Sequence, residues 1–247
     1  MSIKASVKAY AKRIGLLYPR FRCKREYDSQ RFRAINERPI EYSFVFSQLT
    51  LLWPKTVLDV GTGTTALPHL MRNCGFLVTA VDNVRDYWPN GMVNRHYHVI
   101  DDDITDTRLH QTFDVITCVS VLEHIKEHRA AVKSMFSLLN PGGHLLMTFP
   151  YNERQYVRNV YELPDSSVDT ELPFTTQAFS RNEVDAWLRD TDMRIQEQHY
   201  WQFFSGEYWT CGSRICPPVP VDRDSRHQLC CLSFVKPDKT VRSRTMP

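Results

Sequence analysis

The chain has 247 residues, of which 42% are apolar and 24% are charged. A chain of this length and composition can bury a full core, and it fits the size of one large α/β domain. It has no run of about 18 apolar residues and no apolar signal segment near its N-terminus, which argues against a membrane-spanning or secreted protein and predicts a cytoplasmic one.

The net charge of +3 is distributed unevenly along the chain. Residues 1–33 carry ten Lys and Arg side chains against two acids, whereas the remaining 214 residues carry 21 against 26. Apolar side chains at helical spacing, with lysines between them, predict a basic amphipathic helix over residues 3–17. This segment suits peripheral contact with an anionic membrane or another polyanion, or else it is an ordinary solvated helix. We expect no nucleic-acid partner.

The elements that follow alternate between helix and strand. Residues 40–53 have a helical pattern, and Thr56–Val60 is typical of a short buried strand. A glycine-containing loop, residues 61–65, then leads into a helix that ends at Gly75. Four side chains are predicted to share one face of this helix: Leu67, Leu70, Met71 and Cys74.

The central part of the chain continues the alternation. A helix is predicted over residues 131–139, followed by a turn at residues 140–143. Because parallel strands need crossover connections, the alternation predicts a mostly parallel sheet with helices on both faces. The four further strands expected here are residues 76–81, 97–100, 113–120 and 144–149.

Beyond Pro150 the regular pattern stops, and it returns at Ser180–Glu183, which has the sequence of a capping box at the start of a helix. Two last strands are predicted over residues 193–203 and 228–235, which makes seven in all. The predicted organisation is a helical extension over residues 1–40, a domain over 41–237 with insertions at 151–179 and 204–227, and a flexible tail over 238–247.

The stretch Val57–Gly63 carries the most informative motif. Glycines directly after a strand allow a tight turn and a close approach to a nucleotide, while the next helix points its N-terminal amides at the ligand. Asp82 lies 21 residues after Gly61, where a carboxylate can accept hydrogen bonds from both ribose hydroxyls. The glycine loop together with Asp82 indicates a nucleoside site. It does not identify the nucleotide, because Gly61-x-Gly63-x-x-Ala66 also satisfies the pattern used for NAD.

Five stretches in order resemble the class I S-adenosylmethionine-dependent methyltransferases. The resemblance spans roughly residues 37–235 and implies a Rossmann-like fold with seven strands, the last of them antiparallel. It also implies S-adenosylmethionine as cofactor and methyl transfer as reaction. An NAD-dependent oxidoreductase and a non-catalytic S-adenosylmethionine-binding module are the alternatives. The five stretches are VLDVGTGTT (57–65), VTAVDN (78–83), DDDIT (101–105), FDVITCVSVLEHI (113–125) and LLNPGGHLLMTFP (138–150).

The same resemblance implies where the cofactor binds. Asp59 would help to hold the methionine end, and Gly61 and Gly63 would pack against the methionine and ribose portions. Asp82 would hold the ribose. Asn83 either joins the ribose site or only forms a turn.

The third predicted strand ends in three aspartates. The family contacts the adenine amino group with an acid that precedes an apolar residue, which favours Asp103 over its two neighbours. Ile104 would then lie against the adenine face. The other aspartates are expected to be solvated loop residues.

Glu123 and His124 follow the fourth predicted strand, at the edge of the pocket toward which the transferred methyl would point. A histidine here can take a proton from an acceptor hydroxyl, so His124 is the predicted general base, with a structural role as the alternative. The pair also resembles the end of the metal-assisting cluster in ubiquinone-biosynthesis O-methyltransferases. This chain has Ser120 where those enzymes have a further acid, so no metal is predicted, and Ser120 is expected near the cofactor.

The segment Glu37–Tyr42 weakly resembles one in bacterial methyltransferases associated with surface polysaccharides and glycans. The resemblance implies that Glu41 and Tyr42 fold over the cofactor as part of a lid, with the exposed face of a packing helix as the alternative. Together with the basic segment and the aromatic outer regions, it suggests a glycan or small-molecule hydroxyl as the methyl acceptor.

Overall fold

The computed structural model describes residues 36–63, 65–83, 98–168 and 174–238, together with isolated positions between residues 14 and 24. The chain divides into two units, residues 1–39 and 40–247. The second unit contains nearly all the described residues. The predicted basic helix over residues 3–17 lies largely outside them, as does the tail beyond Asp238. None of the described helices is long and apolar enough to cross a membrane.

The predicted alternation of helix and strand is seen around the first, second and fifth strands, whereas residues 102–112 connect the third strand to the fourth through a short 3₁₀ turn. The strands are β1 (Thr56–Val60), β2 (Leu77–Asp82), β3 (Val99–Asp101), β4 (Phe113–Val119), β5 (Leu139–Pro150), β6 (Arg194–Phe204), β7 (Arg214–Val221) and β8 (Leu229–Val235). The helices are α1 (Arg38–Leu52), α2 (Leu67–Asn73), α3 (His128–Ser137) and α4 (Arg181–Thr191).

The eight strands form one sheet in the order β3-β2-β1-β4-β5-β8-β6-β7. Strands β1 to β5 pair in parallel, whereas β8 is antiparallel to both β5 and β6, and β7 is antiparallel to β6. The mixed α/β fold and the antiparallel last strand are confirmed. The prediction of seven strands is wrong by one, because β7 was expected to be irregular.

The sequence pattern does not predict strand β7 because the segment contains several prolines. Proline has no N–H to give to a ladder, so Pro217, Pro218 and Pro220 mark the segment as a loop. At the edge of a sheet only one side of the strand must pair, and β7 lies at that edge, with Trp201 opposite Pro220. The predicted turn at residues 140–143 also differs, because β5 already begins at Leu139, opposite Phe113.

Side chains alternate between the two faces of the sheet, and each face has its own helices. One apolar cluster contains Leu58, Ile116, Leu145 and residues of α3 and α4. The other contains Val57, Val115 and residues of α1 and α2. On α2 the predicted shared face is only half right: Leu67 and Met71 are buried, whereas Leu70 and Cys74 are exposed.

Helix α4 begins as the sequence predicts. The side chain of Ser180 accepts a hydrogen bond from the backbone N–H of Asn182, and the Glu183 carboxylate accepts one from the N–H of Ser180 at 2.9 Å. This confirms the capping box. The cap fixes the point at which the chain leaves the 151–179 insertion and returns to the sheet.

Candidate active site

The glycine loop follows β1 and turns back at once toward β2. Gly61 and Gly63 have φ values of +68° and +54°, in the left-handed region that favours glycine. The Gly61 N–H donates to the carbonyl of Val81 at 2.9 Å, and the Gly63 N–H donates to Oδ2 of Asp82 at 2.6 Å. The structure therefore brings together the glycine loop and the acid that the sequence pairs with it. Asn83 comes next and is half-buried.

Asp59 is the last but one residue of β1, next to the carboxyl end of the strand. Its side chain is buried, and Oδ1 accepts a 2.5 Å hydrogen bond from Thr117 Oγ1 on β4. A buried carboxylate with a hydroxyl partner is held in one orientation. Sequence reasoning missed Thr117, although a threonine within the run of apolar residues that ends β4 is a visible signal.

The three aspartates after β3 have different environments. Asp102 is buried and accepts hydrogen bonds from Thr107 Oγ1 at 2.5 Å and from Arg108 Nε at 3.2 Å. Burial alone would raise the pKa of Asp102, but these hydrogen bonds lower it below its usual value. Asp103 is exposed, and Oδ1 caps a short 3₁₀ turn by accepting from the Thr105 N–H at 2.8 Å.

Ile104, in the same turn, is 6% exposed and belongs to the core cluster that contains Leu58. Only a small part of its side chain therefore faces outward. Of the two aspartates directly after β3, Asp103 is exposed, whereas the carboxylate of Asp102 accepts hydrogen bonds inside the protein.

The residue after β4 has an unusual backbone conformation. Ser120 has φ of +50°, which is uncommon for a residue with a Cβ and is often found at functional sites. Its N–H donates to the carbonyl of Thr148 at 3.0 Å, and its Oγ donates to Oε1 of Glu41 at 2.5 Å. Thr148 Oγ1 donates to the same oxygen at 2.7 Å.

Glu41 is thus a fully buried carboxylate that reaches from α1 to the carboxyl ends of β4 and β5. The sequence singles out Glu41 and Ser120 separately and does not connect them, since they are 79 residues apart. Tyr42 is half-buried and packs against the apolar cluster on the α1 face.

His124 has one ring nitrogen committed to the backbone. Nδ1 lies 2.8 Å from the carbonyl oxygen of Thr175, and a carbonyl can only accept, so Nδ1 carries the proton. When the ring is neutral, the lone pair is therefore on Nε2. Oε1 of the buried Glu123 is 4.0 Å from Nε2, and the ring of Phe174 meets the imidazole edge to face at 5.1 Å.

Gln177 fixes the backbone around His124. Its N–H donates to the carbonyl of Glu123 at 3.0 Å, and its side-chain amide donates to the carbonyls of Glu123 and Ile125. The 151–179 insertion therefore positions the loop that bears His124, a role that the sequence pattern of the insertion does not reveal. Within the described ranges, no group of three or more His, Cys, Asp and Glu side chains is arranged to hold a metal ion.

Comparison with known proteins gives a consistent result. A family model described as a methyltransferase domain matches residues 27–210. A ubiquinone biosynthesis O-methyltransferase from Coxiella burnetii is 28% identical over 169 residues, covering 64% of this chain and 70% of the relative. One with the same name from Pseudomonas putida is 24% identical over 179 residues, covering 67% and 76%.

Solved structures share the fold at low sequence identity. The 1,6-didemethyltoxoflavin-N1-methyltransferase of Burkholderia thailandensis, with bound 1,6-didemethyltoxoflavin and S-adenosylhomocysteine, has a TM-score of 0.54 at 13% identity, covering 96% of this chain and 92% of that one. TehB from Haemophilus influenzae has a TM-score of 0.52 at 18% identity, covering 85% and 65%.

Proposed function

The chain belongs to the family of class I S-adenosylmethionine-dependent methyltransferases, and from this premise we propose that it methylates a hydroxyl oxygen of a small-molecule or glycan acceptor. The enzyme uses S-adenosylmethionine, so the NAD-dependent alternative is set aside. The acceptor oxygen attacks the methyl carbon in line with the sulfur, the carbon–sulfur bond breaks, and S-adenosylhomocysteine leaves. The hydroxyl proton must go to a base.

The observation that carries the oxygen proposal is the tautomer of His124. With its proton on Nδ1 and donated to the Thr175 carbonyl, the imidazole presents a basic Nε2. The side chain is 33% exposed and follows β4, so an acceptor can reach it. Oε1 of Glu123, 4.0 Å from Nε2, would stabilise the imidazolium that forms. The two residues together suit the removal of a proton from a hydroxyl.

The relatives support an oxygen acceptor. The Coxiella burnetii and Pseudomonas putida proteins are both named O-methyltransferases. Their identities of 28% and 24% leave the acceptor itself open. We therefore propose the reaction class from the relatives and the base from this chain's own geometry.

The cofactor would lie along the carboxyl ends of β1, β2 and β4. Asp82 would accept hydrogen bonds from the ribose hydroxyls beside the Gly63 amide, which supports it as the ribose ligand. Asp103 would take the adenine amino group, because its carboxylate is exposed. Asp59 would face the methionine end. The cofactor-side roles expected for Gly61, Asn83, Ile104, Ser120, Glu41 and Tyr42 stay predictions.

The N-terminal segment would supply contact with an anionic membrane. Its charge carries this part of the proposal: residues 1–33 hold ten basic side chains against two acids. Each basic side chain near an anionic surface contributes about 1 kcal/mol. The segment would bring the enzyme to a membrane-bound acceptor.

The reaction class is tested with labelled methyl donor. The purified protein is incubated with S-adenosylmethionine labelled in the methyl group and a panel of glycans and small hydroxyl compounds. We expect label in a base-stable methyl ether. Label found only in N-methyl products would overturn the oxygen proposal while leaving the methyltransferase activity in place.

A further inference from the structure

A polar cleft of about 270 Å³ lies at the carboxyl edge of the sheet, beside β5, β8 and β6. Asn152 follows β5, His227 precedes β8 and Glu207 follows β6. These strand ends meet because β8 runs antiparallel to both neighbours. The glycine loop follows β1 at the same edge of the sheet, so the cleft opens on the side where the methyl donor is proposed to bind.

One wall of the cleft is held rigid by Glu153. Its carboxylate accepts hydrogen bonds from the Tyr151 hydroxyl at 2.8 Å, from Arg181 Nε at 3.1 Å and from Arg223 Nε at 2.8 Å. Burial alone would raise the pKa of Glu153, but the hydrogen bonds from Arg181, Tyr151 and Arg223 hold it below the usual value, so the group stays ionised at neutral pH. A cleft with a fixed wall needs little reorganisation to bind a ligand.

The positively and negatively charged side chains that line the cleft are equal in number. Arg223 pairs with Glu153, and Arg226 Nε lies 3.4 Å from Glu207 Oε2. In the part of the chain that the structure describes, the side chains of Arg154 and Asp224 form no hydrogen bond or ion pair. They leave one donor group and one acceptor group for a ligand. A hydroxyl both donates and accepts, so it suits this pair better than an anion or a cation does.

His227 forms part of the cleft wall. Its Nδ1 donates to the Ser225 carbonyl at 2.7 Å, and its ring stacks on Tyr151 at 5.6 Å. Its Nε2 is buried and has no hydrogen-bond partner among the described residues. Because burial lowers the pKa of His227, the ring stays neutral and Nε2 can only accept. Nε2 has almost no exposed surface, so His227 contributes a neutral ring to the cleft wall rather than a direct ligand contact.

We propose that this cleft binds a neutral polyhydroxyl group, such as one sugar ring, of the methyl acceptor. Its volume is just below the roughly 300–1,000 Å³ that small-molecule sites span, which suits a single ring. The inference rests on the proposed function in naming the ligand as the acceptor. Binding of the ring itself needs neither the cofactor nor methyl transfer.

The test uses the full-length protein without cofactor. Methyl glycosides of glucose, galactose, mannose and N-acetylglucosamine, and separately inorganic phosphate, are titrated against protein with ¹⁵N-labelled histidines. The His227 ring signals are assigned from a His227→Asn variant, which lacks them. We expect at least one glycoside to shift these signals saturably, with no effect from phosphate.

Variants then locate the binding. Arg154→Ala and Asp224→Ala should each weaken the glycoside affinity about tenfold, the effect of losing one good hydrogen bond. His199→Asn, on β6 and outside the residues that line the cleft, is the matched control and should bind as the wild type does.

Three results would overturn the inference: no glycoside binds, phosphate alone shifts the His227 signals, or both cleft variants bind the glycoside as tightly as the wild type does. If a glycoside binds in the cleft but no hydroxyl compound is ever methylated, the sugar site stands and the proposed oxygen chemistry falls. The two proposals therefore fail separately.

Discussion

The side chain of Val121 fills the space beside Gly61, so that a Cβ on residue 61 would lie 2.2 Å from Val121 Cγ1. Gly61 also has a left-handed φ of +68°. We expect Gly61→Ala to lower the free energy of unfolding by roughly 2–5 kcal/mol, since the backbone costs about 1–2 kcal/mol and overpacking about 1–3 kcal/mol. Urea unfolding measures this difference.

Gly63→Ala is the matched control. Its φ of +54° is also left-handed, but the nearest described atoms would lie 4.0 Å from the new Cβ. Only the backbone cost of about 1–2 kcal/mol should remain. Adding Val121→Ala to Gly61→Ala should recover the overpacking part. Equal losses in the two glycine variants would show that Val121 does not restrict residue 61.

Asp82 is expected to hold the ribose of the cofactor. Asp82→Ala should weaken the binding of S-adenosylmethionine by about 1.5–3 kcal/mol, the range for a hydrogen bond to a charged group. Calorimetry gives the affinity, and thermal unfolding shows whether the variant is folded. The Gly63 N–H, which donates to this carboxylate at 2.6 Å, also loses its partner. Wild-type affinity in a folded variant would remove Asp82 from the ribose site.

Substitutions of Asp102 and Asp103 should have separate effects, the first on the stability of the fold and the second on the binding of S-adenosylmethionine. Asp102→Asn should lower the free energy of unfolding by about 1–3 kcal/mol at pH 7, because the buried carboxylate accepts from Thr107 and Arg108. The pKa of Asp102 in the folded protein is lowered, so its contribution is present above the unfolded pKa of about 3.9 and is lost as the pH falls through the folded value. The stability difference between wild type and variant should therefore disappear in acid.

Asp103→Asn should leave the stability unchanged and weaken the binding of S-adenosylmethionine. Asparagine caps a helical turn about as well as aspartate, so the stability should stay near that of the wild type. Its affinity for S-adenosylmethionine should fall about tenfold if the exposed carboxylate binds the adenine amino group. A loss of stability without a loss of affinity would assign Asp103 to the cap alone.

The local parts of this fold could be predicted because their signals lie within a few residues. β1 was predicted at its observed bounds, and the capping box at Ser180 needs only four residues. That the glycine loop and Asp82 belong to one site could be predicted, because they follow two neighbouring parallel strands; the hydrogen bond between Gly63 and Asp82 is an observation of the structure. Strand β7 could not be predicted, because its prolines are tolerated only by its place at the sheet edge.

The long-range parts of the site could not be read from the chain. Ser120 and Glu41 are each visible as unusual polar residues, but their hydrogen bond depends on how α1 packs across the ends of β4 and β5. The partner of His124 likewise comes from the irregular insertion, through the carbonyl of Thr175. Such contacts depend on tertiary packing, and no periodic pattern of residues in the sequence predicts them.

The charge of residues 1–33 predicts binding to anionic vesicles. The full chain should co-sediment with vesicles that contain phosphatidylserine but not with neutral ones, and added salt should weaken the binding because it screens the charges. A chain without residues 1–20, which lacks five of the ten basic side chains, is the control and should bind much more weakly. If the full chain fails to bind the anionic vesicles, the membrane part of the proposal is wrong.

His124 is the residue on which the oxygen chemistry depends. His124→Ala should lower turnover about 10²–10⁴-fold, the usual contribution of a positioned base, and leave the affinity for S-adenosylmethionine nearly unchanged. The exposed His110 offers a control, since His110→Ala should keep wild-type turnover. Because the Nδ1–H of His124 bonds to the Thr175 carbonyl, the alanine variant also loosens the insertion, so folding must be checked by thermal unfolding.

A catalytic base removes a proton from the acceptor hydroxyl, and a more acidic hydroxyl loses its proton more easily. The loss of turnover in His124→Ala should therefore be smaller for acceptors with more acidic hydroxyls. A folded variant with one uniform defect across acceptors of different acidity would assign His124 to positioning of the loop, and wild-type turnover would assign it to packing.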